Sequence, residues 1–218
     1  MPSAIAQYWI QGDAISHLVA GLLLIMSLLS WYTILSKAWS FWRIRAAAPS
    51  LAVFWTAPSN DDALALLSLA DKEEIFAPLA RHGMSAASPA NRTASLNANA
   101  QISDLITRVL RQEMNRVTVK LEAGLILLAS IGATAPFVGL LGTVWGIYHA
   151  LTAVAGSGTM QIDQVAGPVG EALIMTALGL LVAIPAVLAY NAFNRINRIT
   201  FAELDAFAYD LRTHLTPK

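Results

Sequence analysis

The sequence contains no cysteine, which excludes disulfide bonds, thiolate metal sites and a cysteine nucleophile, and leaves the redox compartment open. It also lacks a surplus of positive charge, because 14 lysines and arginines are balanced by 14 aspartates and glutamates. A nucleic-acid-binding protein needs clustered basic residues to neutralise phosphates, so we expect no nucleic-acid partner. The sequence shows no pattern typical of a Ser-His-Asp set, a metal cluster or a phosphate loop. Nothing therefore favours an enzyme, a bound metal or a cofactor.

Charged residues of either sign are scarce. They make up 13% of the chain, whereas they make up about a quarter of an ordinary soluble domain. Hydrophobic residues make up 56%. This composition indicates that the solvent of much of the chain is a lipid bilayer.

Three stretches are apolar enough to cross the hydrocarbon core, which takes about 20 residues of helix. Residues 14–36 carry no charged residue, and their only titratable histidine, His17, is neutral at pH 7. Residues 123–149 carry no charged residue, and residues 165–193 carry only Glu171. The glycines within residues 155–158 predict a turn between the second and third spans.

The direction of the spans follows from the basic residues, since Lys and Arg near span ends stay in the cytoplasm. Ten lie between the first and second spans and four follow the third, and ten plus four is all 14. The N-terminus is therefore predicted outside and the C-terminus inside. The prediction divides the chain into a short periplasmic N-terminus (1–13), transmembrane helix 1 (14–36), a cytoplasmic helical loop (37–122), transmembrane helix 2 (123–149), a periplasmic link (150–164), transmembrane helix 3 (165–193) and a cytoplasmic C-terminal helix (194–218).

The cytoplasmic segments are also predicted to be helical. Ser59 or Asn60 is a suitable cap for a helix that follows, and a second short helix is expected over residues 71–81. Residues 83–100 favour a loose link. Apolar residues at helical spacing then predict two further helices, one running straight into the second span and one after the third (Ile102, Leu105, Ile106, Val109 and Val117; Leu204, Phe207, Leu211 and Leu215). Such stripes are typical of intramolecular core, and subunit contact is the alternative.

One face of the second span consists of small or kink-forming residues. They are spaced by four, three, four and three, which places them on one side of a helix (Gly132, Pro136, Gly139, Thr143 and Gly146). In lipid, such a face lets another backbone approach closely, because packing drives helix association there. Ordinary packing within one chain would leave the same pattern.

Glu171 is the sharpest feature of the third span. An ionised carboxylate in hydrocarbon costs at least a few kcal/mol, so this residue is expected to be useful or shielded. A carboxylate that exchanges between charged and neutral forms can carry a proton, and Thr134, Thr143 and Thr176 offer hydroxyls to extend a polar path. The alternatives are that Glu171 reaches the outer interface and that the threonines bond to their own helix carbonyls.

Three long motifs resemble a known family. They cover residues 130–149 (SIGATAPFVGLLGTVWGIYH), 167–173 (GPVGEAL) and 183–191 (AIPAVLAYN). The chain resembles the ExbB/TolQ/MotA proton-channel family, strongly over about residues 125–215 and more weakly over 1–124. The ExbB branch is the most similar, the TolQ branch is the close competitor, and the MotA branch is less similar because it has four spans.

The resemblance implies an all-α protein of the bacterial inner membrane whose three transmembrane helices and long cytoplasmic helices assemble as an oligomeric ring. Members of the ExbB branch form a homo-pentamer around helices of ExbD and drive TonB to energise the uptake of iron-siderophores across the outer membrane. The resemblance assigns the proton pathway to Glu171, Thr134 and Thr176, with the partner ExbD supplying an aspartate. A subunit of the Tol-Pal envelope system or a non-conducting membrane scaffold is the alternative.

Overall fold

The fold was taken from a computed structural model, which describes residues 14–88, 98–157 and 162–216. These residues form helices and connecting turns without a β-strand, so the all-α prediction is confirmed for the described part of the chain. The helices are α1 (Ala14–Ala47), α2 (Ser50–Phe54), α3 (Asn60–Ala70), α4 (Ala77–Ala86), α5 (Ala98–Glu122), α6 (Leu125–Ser157) and α7 (Ile162–Leu215).

Three helical stretches are long and apolar enough to cross a membrane, namely Ala14–Phe54, Ile102–Thr152 and Ala166–Leu215. This confirms the prediction of three apolar helices. The first and third stretches exceed the predicted spans because α1 and α7 continue without a break into sequence that carries charges. The second is longer because it includes part of α5 as well as α6. The predicted N-terminus (1–13) lies outside the described residues, and so does part of the predicted link (150–164).

The sequence pattern had predicted that α5 runs straight into the second span as one helix, and this prediction is wrong. Helix α5 ends at Glu122 and α6 begins at Leu125. Between them Gly124 has a φ of 80°, a left-handed conformation that glycine adopts without steric cost. The break therefore has a local cause in the sequence, a glycine placed just after the last turn of α5.

The predicted short helix at residues 71–81 is displaced towards the C-terminus, to α4. The reason is Asp71, whose carboxylate accepts hydrogen bonds from the backbone N–H groups of Phe76 and Ala77 at 2.6 and 2.8 Å. Those donors lie at the start of α4, where a helix leaves its N–H groups without partners. Pro78 in the first turn also favours a start there. The predicted loose link (83–100) overlaps α4 and the start of α5, and its residues 89–97 lie outside the described part.

The chain divides into two compact units. The span unit comprises residues 1–35 and 124–192, and the head unit comprises residues 36–123 and 193–218. The head unit has a core of large apolar side chains that are fully buried (Leu67, Ile75, Phe76, Leu79, Ile106, Leu204 and Leu211). The apolar stripes predicted on α5 and on the end of α7 supply much of this core, so both helices bury their apolar faces within the unit.

Candidate functional site

The span unit brings the backbones of α6 and α7 into contact at two glycines. A Cβ atom on Gly139 would lie 2.5 Å from the Met175 carbonyl oxygen and 3.1 Å from the Gly179 Cα. A Cβ on Gly179 would lie 2.6 Å from the Ala135 carbonyl oxygen. No side chain larger than hydrogen fits at either position without a shift. Sequence reasoning had not singled out Gly179, although it is a glycine inside a span.

Two other glycines of α6, Gly132 and Gly146, also lie close against α7. A Cβ on Gly132 would lie 2.4 Å from the Val187 side chain, and one on Gly146 would lie 2.8 Å from the Ala172 Cβ. Pro136 is half-buried within the same helix. The predicted small-residue face of the second span therefore lies against the third span of the same chain.

This close approach brings two hydroxyl groups together. The Thr143 and Thr176 Oγ1 atoms are 3.2 Å apart, and Thr143 is buried at 4% exposure. Thr143 Oγ1 also donates to the Leu140 carbonyl oxygen at 2.7 Å. A hydroxyl has only one proton to donate, so Thr176 is the donor in the pair. The result is a short chain of hydrogen bonds from α7 through Thr143 to the backbone of α6.

Thr134 has a different environment from Thr143. Its side chain is exposed, and its hydroxyl donates to the Ser130 carbonyl oxygen at 2.7 Å. It lies nine positions before Thr143 in the sequence, which is about 13 Å along a helix. The hydroxyl that the structure brings to Thr176 is therefore that of Thr143. The sequence had offered Thr143 both for the polar path and for the small-residue face, but the pathway that the resemblance implies names Thr134 instead. The pairing depends on the register between two helices, for which the sequence gives no signal.

Glu171 is half-buried in α7, one residue before Ala172. Among the described residues, none donates a hydrogen bond to its carboxylate or forms an ion pair with it. The residue lies five positions before Thr176, about 7.5 Å along the helix axis. That rise is too long for direct proton transfer between the two side chains. A water molecule or a group from another chain is needed to connect them.

Two further polar atoms in the span unit are buried without a hydrogen-bond partner in the structure, Ser30 Oγ in α1 and Trp145 Nε1 in α6. Burying such a group without a partner costs about 1–3 kcal/mol, so both are candidates for contact with water or another chain. No cluster of histidine and acidic side chains that could hold a metal ion occurs in the described ranges.

In the head unit, side chains from two other helices form hydrogen bonds with the last carbonyls of α5. Lys37 Nζ donates to the carbonyl oxygens of Lys120 and Leu121 at 3.1 and 3.0 Å. Asn197 Nδ2 donates to the Leu121 carbonyl oxygen at 3.1 Å. The last carbonyls of a helix have no partner within the helix, so these two residues satisfy groups that the break at Gly124 leaves open.

Comparisons with known proteins agree on one family. A family model described as the MotA/TolQ/ExbB proton channel family matches residues 71–206. The chain is 45% identical over 206 residues to the biopolymer transport protein ExbB of Xanthomonas campestris pv. campestris strain B100, covering 92% of this chain and 81% of that protein. It is 39% identical over 210 residues to the ExbB of Neisseria meningitidis strain Z2491, covering 94% and 93%. It is 41% identical over 113 residues to the Tol-Pal system protein TolQ of Pseudomonas aeruginosa, covering 52% and 49%.

Proposed function

The chain belongs to the MotA/TolQ/ExbB proton channel family, and from this premise we propose that it is a subunit of a proton-driven machine in the bacterial inner membrane, with Glu171 as the proton carrier. Glu171 is the only charged residue between Asp163 and Arg195. That isolated carboxylate is the observation that carries the proposal, because ionisable residues within membrane spans mark ion and proton pathways. It also lies half-buried, without a partner among the described residues.

We propose that protons move from Glu171 towards the Thr143 and Thr176 hydroxyls and then towards the cytoplasm. The proposed topology, with the N-terminus outside, runs α6 outward and α7 inward. Of Glu171, Thr143, Thr176 and Thr134, Glu171 then lies nearest the periplasm and Thr134 lies nearest the cytoplasm. A hydroxyl can accept one proton while donating another, so the pair can take part in such a path. The predicted pathway role of Thr134 remains part of this proposal.

The path needs more than one chain. The α6 surface around the glycine contact exposes several large apolar side chains, with Phe137 at 70% and Val144 at 59% exposure. A helix that is apolar all round is covered either by lipid or by other helices. We propose that copies of the chain assemble as a ring, with five copies expected from the family resemblance. A single-span ExbD-like partner would occupy the pore and a TonB-like protein would receive the energy.

The share of the chain that each relative matches favours an ExbB-type role in transport over a TolQ-type role. The ExbB relatives of X. campestris and N. meningitidis match over more than nine-tenths of this chain, whereas the TolQ relative of P. aeruginosa matches over about half of it. We therefore propose that the machine energises uptake across the outer membrane, with iron-siderophores as the expected cargo. A TolQ-like role would instead be revealed by a co-purifying Tol-Pal partner and by siderophore-dependent growth that does not require the chain.

Glu171→Gln tests the proposal, because glutamine keeps the size of the side chain but cannot carry a proton. We expect siderophore-dependent uptake to fall to background in cells that rely on the variant, while the oligomer extracted in mild detergent keeps its size. The matched control is Glu203→Gln, at an exposed position of the same helix in the head unit, which should leave uptake unchanged. Full uptake by Glu171→Gln would overturn the proposal and favour a non-conducting scaffold.

A further inference from the structure

Helix α1 continues past the predicted end of the first span and presents a tryptophan face, which we define as Trp39, Trp42 and Arg45. These residues follow one another at a spacing of three, which places them on one side of the helix. Trp39 is 63% and Trp42 is 68% exposed, and their ring centroids are 5.9 Å apart. Ala38 and Ala46 flank the face and are exposed as well.

The opposite side of the same stretch holds its polar groups inside the head unit. Lys37 donates to the last carbonyls of α5, and Ser40 and Arg43 both bind the Glu73 carboxylate at 3.0 Å. Phe41 is buried between these polar residues and stacks on a ring of α7. Both charges of α1 before Arg45 therefore have partners within the head unit, although Lys37 marks the end of the apolar run in the sequence.

Arg45 is the first charge on the exposed side. In the described part of the chain no carboxylate lies within ion-pair distance of its guanidinium. Two exposed indoles followed by a free cation form the pattern of a membrane–water interface, where tryptophan is enriched and arginine reaches the headgroups. Against water alone the two indoles would leave a large apolar area exposed.

We propose that the tryptophan face lies in the headgroup region of the inner leaflet and that Arg45 binds the phosphate of an anionic phospholipid. On this side of α1 the lipid boundary then lies nine residues beyond Ser36, about 13 Å further along the helix. A second copy of the chain is a poorer occupant, because close helix contacts in membranes use small residues, as on α6 and α7 of this chain. The inner-leaflet assignment rests on the topology in the proposed function, and not on the role of Glu171.

Cysteine labelling tests the position of the boundary, since the chain has no cysteine of its own. Ala38→Cys and Ala46→Cys are made singly in the full chain, and inverted inner-membrane vesicles are treated with a membrane-impermeant maleimide. We expect Ala46→Cys to react quickly and Ala38→Cys to react only after detergent is added. Ala65→Cys, on the exposed side of α3, is the control for access from the cytoplasmic side.

Three results would overturn the inference. If Ala38→Cys reacts as fast as Ala46→Cys, the face is in water. If Ala38→Cys is protected but forms a disulfide-linked dimer on mild oxidation, a second copy covers the face. If Ala65→Cys reacts only in right-side-out vesicles, the inner-leaflet assignment is wrong together with the topology. Glu171→Gln added to each cysteine variant should leave the labelling unchanged, which separates this inference from the proton pathway.

The lipid is tested with Arg45→Gln, and Arg108→Gln, another exposed arginine of the head unit, is the matched control. The full-length proteins are reconstituted in vesicles of phosphatidylglycerol and phosphatidylcholine, extracted in mild detergent, and their bound lipids are counted by native mass spectrometry. We expect Arg45→Gln to weaken the preference for phosphatidylglycerol about fivefold, the factor that one cation near an anionic surface contributes. An unchanged preference in Arg45→Gln, or an equal loss in Arg108→Gln, would overturn the phosphate contact.

Discussion

The span unit and the head unit are both helical, but different kinds of contact hold their helices together. In the span unit α6 and α7 touch through glycine backbones, and Thr143 and Thr176 form a hydrogen bond between them. In the head unit the helices are held apart by large buried side chains such as Phe76 and Phe207. Ion pairs and side-chain caps, including Arg43–Glu73 at 3.0 Å, surround that core.

The difference follows from the solvent of each unit. In water, apolar side chains associate because their burial removes area from water. Lipid gives no such driving force between helices, so a membrane contact depends on close packing and on interhelical hydrogen bonds. The two units should therefore respond in opposite ways to the same kind of substitution. Removing side-chain volume should damage the head unit, and adding volume should damage the span unit.

The largest effect is expected from Phe207→Ala in the head unit. Phe207 is 3% exposed, and its ring lies edge-on to that of Phe54 with centroids 5.2 Å apart. Truncating a buried phenylalanine costs about 3–5 kcal/mol, so much of the protein should be lost during expression, and thermal unfolding in detergent should occur at a clearly lower temperature. Tyr209→Ala, two residues further on and 68% exposed, is the control and should change stability by less than about 0.5 kcal/mol.

A moderate effect is expected from Gly139→Ala, which adds one methyl group to the span unit. The new Cβ would lie 2.5 Å from the Met175 carbonyl oxygen, so α6 and α7 must separate. Overpacking of this kind costs about 1–3 kcal/mol, which denaturant titration in mixed micelles would measure. Gly21→Ala is the matched control, because nothing lies within 4 Å of its new Cβ, and it should be neutral or stabilising. If Gly139→Ala left the free energy of unfolding unchanged, the claim that added volume damages the span unit would be wrong.

The features that the sequence predicts well are those determined by local composition. The three apolar helices were predictable because charges are missing from long runs, and the start of α3 was predictable because Ser59 is a suitable cap. The break at Gly124 was missed although its signal was present. A glycine after a last turn that contains Lys120 is typical of a helix end.

The features that the sequence does not predict depend on how distant segments meet. The pairing of Thr143 with Thr176 requires the register of α6 against α7, and sequence spacing on one helix says nothing about that register. The same holds for the displacement of α4, because Asp71 acts on donors five and six residues away only once the intervening turn has formed. These contacts between segments could therefore be learned only from the structure. The sequence alone was enough to identify Glu171 as an isolated carboxylate.

A smaller effect tests whether local capping matters in the head unit beside its large core. Ser59 Oγ accepts the backbone N–H of Asp62 at 3.1 Å at the start of α3, so of the two caps that the sequence offered, Ser59 or Asn60, the structure uses Ser59. Ser59→Ala should cost about 1 kcal/mol, measured by denaturant titration. Ser68→Ala in the same helix is the control, since its hydroxyl bonds back to the Leu64 and Ala65 carbonyls of its own helix, and it should be neutral. Equal losses in both variants would mean that the cap contributes nothing specific.

The smallest effect on stability is expected from Thr143→Val, which removes the hydroxyl contact of the span unit at nearly constant volume. Interhelical hydrogen bonds in membranes contribute only about 0.6 kcal/mol on average, because a freed hydroxyl such as that of Thr176 can bond to its own helix. The Leu140 carbonyl loses only an additional donor. The variant should therefore assemble normally and unfold almost like the parent.

Proton-driven uptake should respond quite differently to Thr143→Val if the hydroxyl pair belongs to the path. We expect a large loss of siderophore uptake in cells, and Thr143→Ser, which keeps the hydroxyl, should restore most of it. Thr134→Val measured beside it shows whether the exposed threonine also contributes. If Thr143→Val proves strongly destabilising, the hydroxyl contact supports the fold of the span unit. If it proves stable and fully active, the path bypasses the pair. Only a Thr143→Val variant with normal stability and lost uptake would show that the hydroxyl pair serves the proton path rather than the stability of the span unit.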